Sequence, residues 1–288
     1  MIPAGFSYYK ANSLKEAFTL SSKYGDEAKY MSGGHSLLPM MKLRFASPKH
    51  IIDISKIGGL SYIKEEDDLL KIGALTTQSE IEYSPLIKEK YPIFTDAAKL
   101  IADPTVRNVG TIGGNIAHGD AANDQPSLML AMNATLLIEG PSGKRTLAVS
   151  DFFHGFYMTD LEPSEILIEI QVPKAKENSG GAYYKMERKV GDYATTGSAV
   201  YLEMDNGICS EVGIGLTNVN AIPLKLERAE ELLKGKKINS DLIDQAGTIA
   251  AEDCDPESDL RGSEAFKRAA TKSITIKMLN KALERANS

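Results

Sequence analysis

Two pairs of adjacent glycines, Gly33-Gly34 and Gly113-Gly114, stand about eighty residues apart, each close behind a short apolar run. The stretch Ala28-Lys29-Tyr30-Met31 leads into Ser32-Gly33-Gly34-His35-Ser36 and then Leu37-Leu38-Pro39. The second pair lies in Thr111-Ile112-Gly113-Gly114-Asn115, which reads as a poor helix or strand and a good ligand-contacting turn. A residue without a Cβ adopts positive φ freely and lets backbone N–H groups approach an anion. Thr111 and Asn115 add a hydroxyl and an amide, which suits a ligand carrying both phosphate and sugar oxygens. Two such turns can clamp one diphosphate from opposite sides. The usual dinucleotide signature is missing. No Gly-x-Gly-x-x-Gly occurs, Gly213-Ile214-Gly215-Leu216-Thr217-Asn218 lacks the third glycine, and no P-loop is present. Any dinucleotide held here is therefore held by a fold other than the Rossmann type.

With 288 residues, 42% of them hydrophobic, the chain can bury a large core and divide into two or three compact units. Its net charge of -6 argues against a nucleic-acid surface, which needs a basic face to neutralise phosphates. Only residues 261–288 are basic, with seven Lys or Arg against two Glu. Such a stretch reads first as a solvated helix face and second as a surface for docking a partner. No apolar run reaches the roughly eighteen residues of a membrane span, although peripheral association with a membrane stays open. Met1-Ile2-Pro3-Ala4-Gly5 has none of the marks of a secretory signal, so a cytoplasmic location is expected. Cys209 and Cys254 are far apart and lack Cys-x-x-Cys spacing, so this chain cannot by itself ligate an iron–sulfur cluster or a structural zinc. His50, His118 and His154 are scattered and form neither a metal triad nor part of a Ser-His-Asp arrangement. No metal ligand and no catalytic residue is assigned.

Ser13 and Glu16 make a capping box for a helix that runs to about Tyr24, with Gly25 ending it. Strands are predicted at Ala28 to Met31 and Ile51 to Ile54. Leu60 to Ile63 and Leu69 to Ile72 flank an acidic tip and read as a solvated hairpin. Helices are predicted over Thr76 to Tyr83, Leu86 to Lys90 and Ile93 to Ile101, the last broken at Asp103-Pro104. A helix from Pro126 to Met132, a hairpin pairing Ala134 to Ile138 with Arg145 to Val149, and a strand from Ile166 to Val172 follow. The polar stretch Lys174 to Gly181 reads as a boundary. Beyond it lie three strands, Tyr183 to Arg188, Ser198 to Met204 and Cys209 to Leu216, and three helices, Leu224 to Leu233, Asp241 to Ala251 and Ala265 to Ala286. The expected domains are 1–177, with subdomains of about 1–54 and 55–177, and 178–288.

The stretches Gly33-Gly34-His35-Ser36-Leu37-Leu38-Pro39 and Arg107-Asn108-Val109-Gly110-Thr111-Ile112-Gly113-Gly114-Asn115 together resemble the FAD-binding medium subunits of molybdenum hydroxylases, the aerobic carbon monoxide dehydrogenases most of all. The likeness continues through Ile101-Ala102-Asp103-Pro104, Arg188-Lys189-Val190-Gly191-Asp192-Tyr193-Ala194-Thr195 and Gly215-Leu216-Thr217-Asn218-Val219, so it covers nearly the whole chain. It implies an α+β fold with a two-lobed α/β FAD-binding domain of the vanillyl-alcohol-oxidase-like (PCMH) type, followed by a C-terminal α+β domain with a three-stranded antiparallel sheet and helices. It also implies FAD on this chain, and the molybdenum cofactor and [2Fe-2S] clusters on a large and a small partner subunit, assembled as a dimer of heterotrimers. The contacts to FAD that it implies are Ser32, Gly33, Gly34, His35, Ser36 and Leu37, then Thr111, Gly113, Gly114 and Asn115, and finally Asp124, Leu167, Lys185 and Tyr193.

Several of these residues carry more than one reading. His35 is a backbone contact in the flavin turn, a covalent attachment point of the kind single-chain flavin oxidases carry, or a structural histidine. Asp124 either complements the start of the helix near Pro126 or contacts the ribityl and phosphate part of FAD. Lys185 is a surface lysine on a strand, or the cation that stabilises the charge of the reduced ring. Tyr193 packs in a core or lies against the isoalloxazine. The function implied is transfer of electrons from a [2Fe-2S] subunit to an external acceptor. The alternative is a self-sufficient flavin oxidase or reductase of the same fold. Neither the substrate nor the acceptor is fixed by these residues.

Overall fold

The structure is a computed structural model that describes residues 2–288. It is built from three units, each with its own apolar core. In the first, β1 (Ser7–Lys10), α1 (Leu14–Tyr24), β2 (Ala28–Met31), α2 (Leu37–Leu43) and β3 (His50–Asp53) form a small parallel sheet with β3 between β1 and β2. Ser13 caps α1, accepting from the Glu16 backbone N at 3.2 Å, but the predicted capping box is not closed, because the Glu16 carboxylate accepts from the Asn12 backbone N at 2.8 Å; Ala17 and Phe18 are buried against Ile52 and Ile54. Strand β1 and helix α2 are not evident in the sequence. The Ser36 side chain makes no capping bond to α2, and Pro39 sits within its first turn. The helix is held instead by burial of Met41 and by a left-handed residue, Arg44, at its end.

The middle unit opens with the acidic hairpin of β4 (Ile63–Glu66) and β5 (Leu69–Gly73), turned through Asp67 and Asp68 at positive φ. Next come α3 (Gln78–Tyr83), α4 (Pro85–Lys90), α5 (Pro92–Leu100), α6 (Pro104–Arg107), α7 (Ile112–Ala117) and α8 (Asp124–Ala131). The hairpin of β6 (Thr135–Gly140) and β7 (Gly143–Ala148), the small ribbon of β8 (Phe153–Gly155) and β9 (Met158–Thr159), and β10 (Ile166–Pro173) complete it. Strand β10 runs antiparallel between β5 and β6 in a five-stranded sheet, with a register shift between Leu167 and Glu169.

One ion cluster ties this sheet to the chain segment before β10. Arg145 on β7 reaches Asp160 at 2.7 Å and Glu165 at 2.6 Å, and its charge holds both carboxyls below their ordinary range. Because folding depresses these two pKa values, the pair stabilises the fold above the ordinary carboxylate range and loses that contribution as pH falls through it. Arg145→Gln should therefore lower stability by up to about 1 kcal/mol at neutral pH, the usual scale for a partly exposed pair. The difference from wild type should close toward pH 3, as measured by urea unfolding across a pH series. A difference independent of pH would assign Arg145 to packing alone.

The third unit is an antiparallel sheet of β11 (Ser179–Met186), β12 (Thr196–Asp205), β13 (Ile208–Thr217) and the two-residue β14 (Leu224–Lys225), with α9 (Glu227–Leu233), α10 (Ser240–Asp253) and α11 (Glu264–Ala286). The second and third long strands match the sequence reading, while β11 begins at Ser179, inside the polar stretch read as a boundary, and ends before Arg188; β14 takes the start of what reads as a helix from Leu224 and adds a short fourth strand to the expected three. The sheet is covered on both faces. Alternate residues of β11 and β12 divide accordingly: Tyr183 and Ala199 join the core of the middle unit, while Ala182 and Val200 join that of the third. Helix α8 lies so close to β13 that a Cβ on Gly213 or Gly215 would collide with the carbonyl oxygens of Ala131 and Ser127.

The basic stretch 261–288 is not a free cationic face. Each of its seven basic side chains is engaged inside the chain: Arg261 with Asp192, Lys267 with Asp259, Arg268 with Asp255 and Glu264, Lys272 with Asp244, Lys281 and Arg285 with Asp96, and Lys277 over the ring of Tyr184. The surplus charge read from sequence locks α11 to its neighbours and gives little support to a basic docking patch.

Candidate functional site

The two glycine stretches meet. Ser32 Oγ lies 3.0 Å from Thr111 Oγ1, and a Cβ on Gly33 would overlap the carbonyl of Val109. They are not, however, two equivalent open turns. Of the four glycines only Gly34 has positive φ, at 71°, and it swings the chain from β2 into α2. Gly113 and Gly114 lie in the first turn of α7, with Thr111 as its N-cap accepting from the Gly114 backbone N at 3.2 Å. Two glycines weaken a helix on propensity alone, but Ile112 and Ile116 are wholly buried, which outweighs that cost. The glycines are needed for contact. A Cβ on Gly113 would stand 2.5 Å from that of Ala74, and one on Gly114 would stand 2.8 Å from both the Ser32 and the Thr111 hydroxyls.

From this junction a cavity of about 760 Å³ runs to the third unit, in the upper part of the usual range of roughly 300–1,000 Å³ for ligand clefts. All fourteen residues singled out in the sequence line it. Ser32 to Leu37 together with Thr111, Gly113, Gly114 and Asn115 form the end at the glycine junction, Leu167 enters from the irregular stretch of β10, and Asp124, Lys185 and Tyr193 stand where α8 faces the C-terminal sheet. His35 is exposed in the turn before α2. The residues missed are those with no local motif, such as Gln78, His118 and Tyr157, which line the same cavity.

Lys185 is not a surface lysine. It is 2% exposed, and its Nζ donates to Asp124 Oδ2 at 3.0 Å and to the Asp192 carbonyl at 2.9 Å, with a Glu187 oxygen at 3.7 Å. Asp124 makes no capping bond to α8; its second oxygen accepts from the Tyr183 hydroxyl at 2.6 Å. Burial, reinforced by the Asp124 charge, keeps the Tyr183 phenol protonated well above its ordinary range, so it serves as a donor throughout. A buried ion pair thus joins the middle and third units at the cavity wall. Tyr193 is 44% exposed at the rim; its backbone N donates to Asp192 Oδ1 at 2.9 Å, and the Arg261 guanidinium lies 5.9 Å from its ring.

These residues fit FAD. Thr111 and Ser32 offer hydroxyls beside a junction closed to any side chain, Asn115 Oδ1 is buried with no partner among the described residues, and Tyr193 gives a half-exposed aromatic face. The isoalloxazine would supply a two-electron carrier able to exchange electrons singly with iron–sulfur centres.

Comparison with known proteins agrees with this geometry. The family described as "FAD binding domain in molybdopterin dehydrogenase" matches residues 4–175, and "CO dehydrogenase flavoprotein C-terminal domain" matches residues 181–282. The carbon monoxide dehydrogenase medium chain of Hydrogenophaga pseudoflava is 44% identical over 99% of both chains, and that of Afipia carboxidovorans 42% identical over 100% of this chain and 99% of the other. A solved carbon monoxide dehydrogenase from Hydrogenophaga pseudoflava, lacking the Mo-pyranopterin moiety of its molybdenum cofactor, superposes with a TM-score of 0.96 at 46% identity, covering 99% of each chain. The chain therefore belongs to the FAD-binding medium subunits of the molybdenum hydroxylases, in the branch that includes the carbon monoxide dehydrogenases.

Proposed function

We propose that this chain is the electron-transfer subunit of a carbon monoxide dehydrogenase, working in the cytoplasm within a dimer of heterotrimers. FAD is held noncovalently by the fourteen cavity residues. Residues 1–177 supply the glycine junction and residues 178–288 supply Lys185 and Tyr193. The substrate is oxidised on the large molybdenum subunit, electrons pass through the [2Fe-2S] subunit to this chain, and an external acceptor takes them away. The observation that carries the reading is the convergence of all fourteen residues, drawn from separate stretches between Ser32 and Tyr193, on one cavity wall. Carbon monoxide as substrate is supported by the identity of 44% to a medium chain of that name.

Each residue has a task in this scheme. Ser32, Thr111 and the backbone of the turn through Gly33 and Gly34 bind the diphosphate, since the first N–H groups of α7 are engaged by Thr76, Ala74 and Thr111. Asn115 and Asp124 accept from sugar or ribityl hydroxyls. Tyr193 covers the ring, and Lys185, fixed by Asp124, places positive charge near its reducible edge. Precipitation with trichloroacetic acid should leave a colourless pellet and release FAD into the supernatant. Colour retained in the pellet would overturn noncovalent binding and favour the single-chain oxidase with flavin attached at His35.

A further inference from the structure

Gln78 opens α3, and its backbone places it beside the second glycine stretch. Its N donates to the Gly110 carbonyl at 2.9 Å, and the residue before it, Thr77, forms a bridge with Thr111. Its side chain is 2% exposed and lines the cavity. On one side the amide is fixed, because Gln125 of α8, itself wholly buried, donates Nε2 to Gln78 Oε1 at 2.8 Å. On the other, Gln78 Nε2 is buried and, like Gln125 Oε1 at the far end of the pair, has no partner among the described residues, but of the two residues Gln78 is the one that lines the cavity. A buried amide that could gain more by turning to solvent, yet is clamped with its donor unpaired, calls for an explanation. Asn115 Oδ1, which lines the same cavity, is likewise buried without a partner among the described residues, so the lining offers an unused donor and an unused acceptor. Both are neutral amides, suited to a chain of phosphate and ribityl oxygens.

We infer that Gln78 is a cofactor-binding residue whose amide donates to an oxygen of the diphosphate–ribityl segment of FAD, with Gln125 as the positioning residue that aims it. The inference rests on the reading that FAD occupies this cavity, and it adds a contact that no local motif marks. A donor whose partner arrives only with the cofactor should make the flavin-free protein no less stable when it is removed, and make FAD bind more weakly.

The test uses the full-length chain, purified with its partner subunits, stripped of flavin and titrated with FAD. Gln78→Met/Gln125→Met keeps the lengths of both side chains and removes the donor together with the bond that aims it, leaving no buried amide unpaired, while Gln78→Glu keeps the bond from Gln125 and presents a carboxylate to the cofactor. Gln78→Met/Gln125→Met should bind FAD ten- to a hundredfold more weakly with an unfolding midpoint, measured without flavin, equal to or above that of wild type. Gln78→Glu should bind more weakly still. FAD affinity within twofold of wild type in Gln78→Met/Gln125→Met would overturn the inference, as would a lowered midpoint of that variant without flavin, which would make the amide pair structural. Failure of the wild type to bind FAD would overturn the underlying reading and this inference with it.

Discussion

Gly114→Val should give a folded protein that has lost FAD. The added Cβ would meet the hydroxyls of Ser32 and Thr111 at 2.8 Å, driving apart the two side chains whose 3.0 Å contact closes the junction between the glycine stretches. Those atoms are the ends of short side chains that can turn aside, so the fold survives, but the γ-methyls then occupy the place of a phosphate. FAD affinity should fall by at least about a hundredfold, since several charge-assisted hydrogen bonds of roughly 1.5–3 kcal/mol each are lost together. Gly113→Val, one residue earlier, should behave differently. Its Cβ would stand 2.7 Å from the Ala74 carbonyl oxygen, a backbone atom, so overpacking of roughly 1–3 kcal/mol or more should appear as lost stability before any effect on flavin. Gly58→Ala, where nothing lies within 4 Å, is the neutral control. Full flavin content in Gly114→Val would remove the diphosphate reading of this junction.

Lys185→Met should carry the largest cost in stability. It leaves Asp124 buried against Tyr183 with no cation, and breaking a buried pair from one side costs about 3–5 kcal/mol. Because the pair joins α8 to β11, the loss should loosen the contact between the middle and third units. The double variant Lys185→Met/Asp124→Leu, which removes both charges, should recover most of it, as read from denaturant unfolding. Reduction should also become harder. A unit charge within about 8 Å of the ring is worth roughly 2 kcal/mol at an effective dielectric near 20, or about 40 mV for a two-electron couple. The Asp124 charge already offsets that of Lys185 at 3.0 Å, so the drop in potential should shrink again in the double variant. An unchanged potential in Lys185→Met would leave Lys185 a purely structural role.

What the sequence made legible follows from how local each cause is. The helix after Ser13 carries its own cap, whereas the Thr77–Glu80 capping box, which starts α3 at Gln78 and not at the expected Thr76, shows itself only in the structure. By contrast α7 begins with Thr111 and two glycines, and its stability comes from Ile112 and Ile116 buried against distant parts of the chain, so it reads as a turn. The same limit applies to Lys185, whose partner Asp124 is 61 residues away; nothing near it on β11 announces a buried charge. The cavity residues were legible through family likeness. Gln78, which has no such likeness to lean on, shows itself only as an unpartnered atom in the folded cavity. Charge was legible in amount but not in use, since the basic C-terminal stretch spends its cations on internal partners such as Asp96 and Asp192.

The central claim is that this chain carries electrons and does not oxidise substrate, and flavin bleaching tests it most directly. FAD-loaded chain is exposed anaerobically to carbon monoxide, first alone and then with the iron–sulfur and molybdenum subunits, while the flavin absorbance is followed. With no cysteine set for a cluster in this sequence, electrons must arrive from a partner. The flavin should therefore stay oxidised in the isolated chain and bleach once the partners are added. Bleaching and turnover by the isolated chain, with carbon monoxide or with any aldehyde or aromatic heterocycle tried in its place, would contradict the account.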